Sequence, residues 1–184
     1  IIYKALLLMS AGSVLLMTGR SKCTDLGGLF RTMPLTCLCG IIGALAISSF
    51  PLTSGFVSKS MIAEGAAGRH LMWIWLALAA ASAGVFLHAG IKFPWFVFFA
   101  KDSGLRPAEP PGSMRAAMIL LAILCIGFGV LPGPLYALLP FKVDYVPYTA
   151  PHVLFQLQLL LFSGLAFFLL LPLLKRTPTI TLDA

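Results

Sequence analysis

The residues of this sequence that can do chemistry are a few ionisable side chains within its long apolar runs. Lys4, Lys59, His88 and Lys92 all lie in stretches apolar enough to cross a bilayer. A charge at the centre of a spanning helix costs about 2.5–3.5 kcal/mol on insertion scales, so such residues tend to be functional. Lysine and histidine both gain and lose protons, so this set predicts proton exchange inside a membrane.

Lys59 is the strongest candidate because it follows the unusual segment SSFPLTSGFVS. Pro51 removes a backbone donor and clashes with the preceding turn, and Gly55 adds backbone freedom, so a helix break near Pro51 is expected. Irregular backbone at membrane depth persists only inside protein or beside a wet cavity, and half-helix ends are natural ion sites. A lysine one turn past this break is predicted to carry a proton. The alternative is a lysine that extends to the outer interface, which the nearby Glu64 favours.

The remaining candidates each leave two interpretations open. Lys4 is either part of a proton path or an interfacial anchor. His88 and Lys92 are four residues apart and share one helix face. His88 is either a relay or a hydrogen-bonded packing residue, while Lys92 is interpreted as an anchor in preference to a relay.

A cluster of polar residues precedes the last apolar run. For this cluster a solvated loop with an aromatic belt is preferred over a lid or a partner contact. Its members are Lys142, Asp144, Tyr145 and His152.

The elements that must position these residues follow from composition. Of 184 residues, 59% are hydrophobic and 10% are charged. Soluble domains average about 45–50% apolar and about 25% charged residues, so a soluble or disordered chain is excluded. The net charge of +7 comes from basic residues in short breaks between apolar runs, which is typical of membrane orientation rather than nucleic-acid binding.

The four cysteines are too few and badly placed for a disulfide scaffold. All four are predicted to be small buried apolar side chains, and no metal or cofactor site is expected. They are Cys23, Cys37, Cys39 and Cys125.

Five apolar runs are each long enough to cross about 30 Å of hydrocarbon as a helix. They are unbroken and do not alternate, which favours helices over barrel strands. The predicted fold is an all-α, polytopic transmembrane bundle with one discontinuous helix. The predicted spans are approximately 1–18, 34–63, 71–100, 114–131 and 152–174.

The basic residues alternate between the connectors and predict the orientation. Eight lie on one predicted side and only two, Arg69 and Lys142, on the other. The positive-inside rule places the richer side and the C-terminus in the cytoplasm, in a multi-pass protein of the cell's inner (plasma) membrane. The eight are Arg20, Lys22, Arg31, Lys101, Arg106, Arg115, Lys175 and Arg176.

Three motifs in order carry a family resemblance: KALLLMSAGSVLLMTG, LGGLFRTMP and FPLTSGFVSKSMI. The sequence resembles the antiporter-like subunits of Mrp-type Na⁺/H⁺ antiporters, respiratory complex I and membrane-bound hydrogenases, with the D-type subunit of multisubunit cation/proton antiporters as the nearest match. Ile1 lies inside an apolar run with no preceding Met, so we expect a C-terminal fragment of such a protein.

The resemblance implies a fold with two inverted five-helix repeats, each containing a broken helix. Residues 1–65 would be the end of the second repeat, and residues 66–184 would be trailing helices. Lys59 falls on the family's protonatable residue, where part of the family has glutamate, and Lys4 on a lysine of the central hydrophilic axis. His88 and Lys92 have no general counterpart.

The predicted function is therefore proton translocation in a multisubunit cation/proton antiporter, with other membrane subunits, lipid, H⁺ and Na⁺ as partners. One alternative is the pump arm of an NADH-quinone oxidoreductase or a membrane-bound hydrogenase. No haem motif, cluster spacing or Gly-rich dinucleotide turn occurs in the sequence, so no catalysis is expected on this chain itself. A second alternative is a structural membrane subunit that conducts nothing.

Overall fold

The computed structural model describes residues 1–141 and 143–173. Besides two three-residue 3₁₀ helices, Cys23–Asp25 and Leu29–Arg31, these residues form seven helices, numbered here in chain order. They are α1 Ile2–Thr18, α2 Pro34–Ile47, α3 Ser54–Gly68, α4 Met72–Phe99, α5 Gly112–Val130, α6 Gly133–Ala137 and α7 Ala150–Leu170.

Local sequence signals fix several helix ends. Pro34 occupies the first turn of α2, where the missing N–H has no partner to lose. Pro151 occupies the first turn of α7 for the same reason. Gly19 ends α1 with a left-handed backbone (φ 66°), and its N–H donates to the Leu15 carbonyl over 2.8 Å.

The predicted all-α bundle with one broken helix is confirmed. Three helices, α4, α5 and α7, are long and apolar enough to cross a membrane, and α1 and α2 are shorter apolar helices. The second predicted span divides into α2 and α3 around Pro51, and α3 continues to Gly68, beyond the predicted end at residue 63. The predicted end of the last span, Leu174, lies outside the described residues.

The two basic connectors lie together at one end of the bundle. Residue 103 joins them, because its backbone N–H and its hydroxyl both donate to the Gly27 carbonyl, over 3.3 and 3.2 Å. We call this the inner end, as the basic residues predict. At the opposite, outer end α3 ends, and α4 and α7 begin.

The second half of α4 is wound more widely than an α-helix. Residues Phe86–Lys92 and Trp95–Phe99 are π-helical. In the first of these stretches, a Cβ added at Gly90 would lie only 2.2 Å from the Ser48 hydroxyl, so α4 approaches the end of α2 closely at this point.

The packing corrects one prediction about the cysteines. Cys37, Cys39 and Cys125 are buried in apolar clusters, as predicted. Cys23 is exposed, because it begins a three-residue 3₁₀ helix in the inner connector between α1 and α2 rather than lying in a packed apolar helix.

Candidate functional site

The break between α2 and α3 comprises residues 48–53. Two residues other than glycine, Ser49 (φ 59°) and Leu52 (φ 67°), adopt left-handed backbone there, which is unfavourable for a side chain as bulky as leucine. Pro51 lies between them and cannot continue α2. The Thr53 hydroxyl donates to the Phe50 carbonyl over 2.6 Å and closes the turn. The break is therefore an ordered structure.

Gly55 lies within the first turn of α3, with helical backbone, rather than in the break. An added Cβ at this position would lie 1.7 Å from the Ala46 carbonyl oxygen. The glycine therefore allows α3 to contact the end of α2 closely, a role that differs from the predicted backbone freedom.

The side chain of Lys59 extends back across the break and contacts the end of α2. Its Nζ donates to the Ile47 carbonyl, and Gln156 Nε2 of α7 donates to the Ser48 carbonyl over 3.1 Å. Both acceptors belong to the C-terminus of α2, where unpaired carbonyls carry partial negative charge and favour a cation. The structure thus pairs an ammonium group with a half-helix end inside the bundle.

A cavity of about 490 Å³ lies beside this ammonium group, between α3, α4 and α7. Its wall includes the Ser49 hydroxyl, which is buried and has no hydrogen-bond partner among the described residues. A cavity of this size with several polar groups can hold water. Its other polar lining residues include Lys59, Ser60, Glu64, Ser82, His152 and Gln156.

The wall of the cavity near the outer end is aromatic. The Phe56 ring stacks on Tyr148 and contacts His152, with both centroid distances 5.3 Å. Tyr145 Oη lies 3.2 Å from His152 Nδ1. Burial raises the pKa of Tyr145 and of Tyr148, so both phenols stay protonated at neutral pH.

Lys4 is exposed on α1 and does not line the cavity that Lys59 borders. His88 and Lys92 are exposed on α4, and neither lines the cavity. Three basic residues of the orientation argument, Lys142, Lys175 and Arg176, lie outside the described residues.

Sequence reasoning missed two residues that hold α2. Gln156 is a buried amide within the apolar run VLFQLQLLLF, and polar residues in a span are the kind of signal that could have found it. Glu109 accepts hydrogen bonds from the Leu35 and Thr36 backbone N–H groups, over 2.6 and 3.3 Å. No sequence pattern near Glu109 indicates this contact.

The family model described as "NADH:quinone oxidoreductase/Mrp antiporter, TM" matches residues 1–86, which include α1, the break and Lys59. The match extends past residue 65, where the strong resemblance was expected to end.

Three curated relatives illustrate the range of similar proteins. The probable K⁺/H⁺ antiporter A/B protein of Rhizobium meliloti is 34% identical over 71% of this chain and 14% of the relative. The L protein of the F420H2 dehydrogenase of Methanosarcina mazei is 32% identical over 70% of this chain and 21% of the relative. The L protein of the NADH-quinone oxidoreductase of Escherichia coli is 33% identical over 75% of this chain and 23% of the relative.

The chain thus spans less than a quarter of the length of these relatives. Their names carry the letters A/B and L and do not support the narrower match to the D type. The resemblance to the broader family is confirmed by both the family model and the relatives. The matched part of the chain, residues 1–86, belongs to the antiporter-like family of membrane subunits, which includes subunits of Mrp-type antiporters and of complex I.

Proposed function

We propose that this chain is part of a proton-translocating membrane subunit of a multisubunit cation/proton antiporter, and that Lys59 carries the proton. The observation that supports this most is the position of the Lys59 ammonium group. It is bound to the Ile47 carbonyl at a helix break and lies on the wall of a cavity that several polar side chains line.

The bond to Ile47 couples the position of Lys59 to its charge. A protonated amine is attracted to the end of α2, whereas a neutral amine loses most of this attraction. Proton release would therefore free the side chain to move in the cavity, and a returning proton would restore the bond. The cavity water would accept and supply protons.

Lys4 would pass protons towards Lys59 along the membrane. A positive charge on Lys4 would repel one on Lys59, and this repulsion would favour release of the proton from Lys59. His88 is exposed outside the cavity, so this route gives it no step and its relay role stays a prediction. Pro51 and Gly55 would keep α2 and α3 as separate half-helices in close contact.

In the whole protein, residues 1–65 would complete the second inverted repeat, and residues 66–184 would form trailing helices. Other membrane subunits of the same complex, lipid, H⁺ and Na⁺ would be the partners. We also propose that, within the family, the chain belongs to the D-type subunits of multisubunit cation/proton antiporters. The inner (plasma) membrane would hold the protein, with its C-terminus in the cytoplasm.

Lys59→Ala in the full-length protein, reconstituted with its complex in liposomes, should abolish coupled proton flux while the complex still assembles. Lys101→Ala is the matched control, because Lys101 is exposed in the inner connector. Unchanged flux in Lys59→Ala would contradict the proposal and favour a structural role in which the chain conducts nothing.

Pro51→Ala should weaken flux without abolishing it, because the alanine restores a backbone donor and favours a continuous helix. Stopped-flow measurement of internal pH in the same liposomes gives the rate. Wild-type flux in this variant would show that the proline is not needed for transport.

A second candidate is the pump arm of a redox complex. Two relatives support it, since their names are those of F420H2 dehydrogenase and NADH-quinone oxidoreductase subunits. Purification of the native complex separates the candidates: quinone-reductase activity in the purified assembly would favour the redox complex, and cation-dependent proton flux without it would favour the antiporter.

A further inference from the structure

We propose that His152 and Glu64 form a proton-transfer pair that receives the proton from Lys59 and delivers it at the outer end of the bundle. This inference deepens the proposed function and rests on it. It assigns a role to two side chains that the sequence patterns did not single out as proton carriers.

The first argument is the order of the groups along the cavity. Lys59 and Gln156 bind adjacent carbonyls at the end of α2, so the ammonium group lies at the level of Gln156. His152 is four residues nearer the start of α7, which is about 6 Å closer to the outer end. Glu64 is five residues beyond Lys59 on α3, in the same direction. All four side chains line one cavity.

The second argument is that the structure fixes the imidazole. The ring of His152 is half-buried, contacts Phe56 at 5.3 Å and has its Nδ1 at 3.2 Å from Tyr145 Oη. A hydrogen bond to one ring nitrogen determines which nitrogen is free, and here it leaves Nε2 for transfer. This ordered geometry does not fit the freely solvated loop that was preferred from sequence.

The third argument is the charge around the imidazole. Glu64 of α3 lines the same cavity as His152, and it acts electrostatically on Tyr145, the phenol that contacts the imidazole. From α3 the imidazole also faces Lys59 and Ser60 across the cavity. From the preceding loop it contacts the phenol of Tyr145, while Tyr148 stacks on the other neighbour of the imidazole, Phe56.

The residues of α4 that line the cavity include one hydroxyl, that of Ser82, and none of them is titratable. Glu64 is thus the carboxylate on this wall, and it stabilises a transient imidazolium.

The transfer balances as a movement of one proton. The Lys59 ammonium loses a proton to cavity water, and the water passes one to His152 Nε2. Lys59 becomes a neutral amine and His152 an imidazolium. The imidazolium then gives its proton to the exposed Glu64 carboxylate or to bulk water, which returns His152 to the neutral form.

The test uses His152→Asn in the full-length protein within its complex in liposomes. Asparagine keeps a polar atom near Tyr145 but does not titrate. We expect flux at neutral pH to fall at least about tenfold. His70→Asn is the matched control, because His70 is exposed in the α3–α4 connector with φ 56°, a backbone conformation that asparagine tolerates.

Imidazole rescue distinguishes proton transfer from a structural role. Adding free imidazole to His152→Ala should restore part of the flux, and Glu64→Gln should lower flux less than His152→Asn does. Failure of imidazole to restore flux would overturn the inference in favour of a packing role for the ring.

Wild-type flux and an unchanged pH profile in His152→Asn would also overturn the inference. If Lys59→Ala still abolishes flux in that case, the proposed function stands, and only the proton route through His152 and Glu64 is wrong. If Lys59→Ala also transports normally, the proposed function itself fails.

Discussion

The two ends of α2 are held by opposite charges, and comparing them shows what distinguishes a structural contact from a functional one. At the N-terminus, the Glu109 carboxylate accepts two backbone N–H groups and the Thr36 hydroxyl, the last over 2.7 Å. At the C-terminus, Lys59 and Gln156 donate to the last carbonyls. Each charge has the sign that the helix dipole favours at its end.

The surroundings of the two charges differ. Glu109 comes from the inner connector, and its oxygens are occupied by the helix end they cap. Lys59 comes from the next half-helix and borders a cavity, whose wall it shares with the Ser49 hydroxyl, a group without a hydrogen-bond partner among the described residues. The same electrostatic principle therefore gives a static cap at one end and, as proposed, an exchangeable contact at the other.

The largest loss of stability is expected from Gly55→Ala, which would separate the two half-helices. The new Cβ would meet the Ala46 carbonyl oxygen at 1.7 Å, so backbone must move. Such overpacking costs about 3 kcal/mol and should also reduce proton flux. Thermal unfolding of the purified complex measures the loss.

Gly65→Ala is the control in the same helix, since nothing lies within 4 Å of its added Cβ. It should leave stability unchanged or raise it slightly. Equal unfolding temperatures for the two variants would contradict the close approach at Gly55.

Glu109→Ala should remove the cap at the N-terminus and cost about 2 kcal/mol, because two backbone donors and a hydroxyl lose their acceptor. Flux per assembled complex should stay near that of the wild type. A stable protein with greatly reduced flux would show that this end also takes part in transport, and the contrast between the ends would fail.

Gln156→Leu should cost about 1 kcal/mol, since the Ser48 carbonyl would lose a buried donor. Gln158→Leu provides the comparison, because Gln158 is exposed on the same helix. Denaturant unfolding of both variants tests this, and equal stability would indicate that the contact to Ser48 adds nothing.

The smallest effect is expected for Asp102→Asn. Asp102 shares the inner connector with Glu109, but it forms an ion pair with the exposed Arg106 over 2.7 Å and accepts the Gly104 N–H over 2.8 Å. Arg106 holds the pKa of this carboxyl well below its usual range, so the pair persists at neutral pH and is lost only in strong acid.

Because solvent screens this ion pair, Asp102→Asn should leave the unfolding temperature at pH 7 unchanged. A drop comparable to that of Glu109→Ala would mean that a charge in this connector stabilises the fold without capping a helix.

The sequence predicted the break and singled out Lys59 as a candidate, because both depend on local chemistry, that is, a proline followed by small polar residues and then a charge. It could not predict that Lys59 binds Ile47, twelve residues back, because the turn geometry of the break decides this. Glu109 and Gln156 were missed because each acts on a distant segment. His88 attracted attention as a titratable residue in a span, but the rotation of α4 leaves it outside the cavity.

The central claim is that a titratable amine at residue 59 moves the proton, and chemical reconstruction of that amine tests it most directly. Lys59→Cys should be inactive in liposomes, and alkylation of the new thiol with 2-bromoethylamine, which restores a primary amine of nearly the same length, should recover flux. Ethylation of the same thiol is one control, because it adds a similar group without the amine. Treatment of Lys59→Ser with 2-bromoethylamine is the other, because it shows the effect of alkylation elsewhere, including at the exposed Cys23. Recovery by the aminoethyl group alone is the predicted result, whereas equal flux before and after alkylation, or equal recovery by ethylation, would contradict the account.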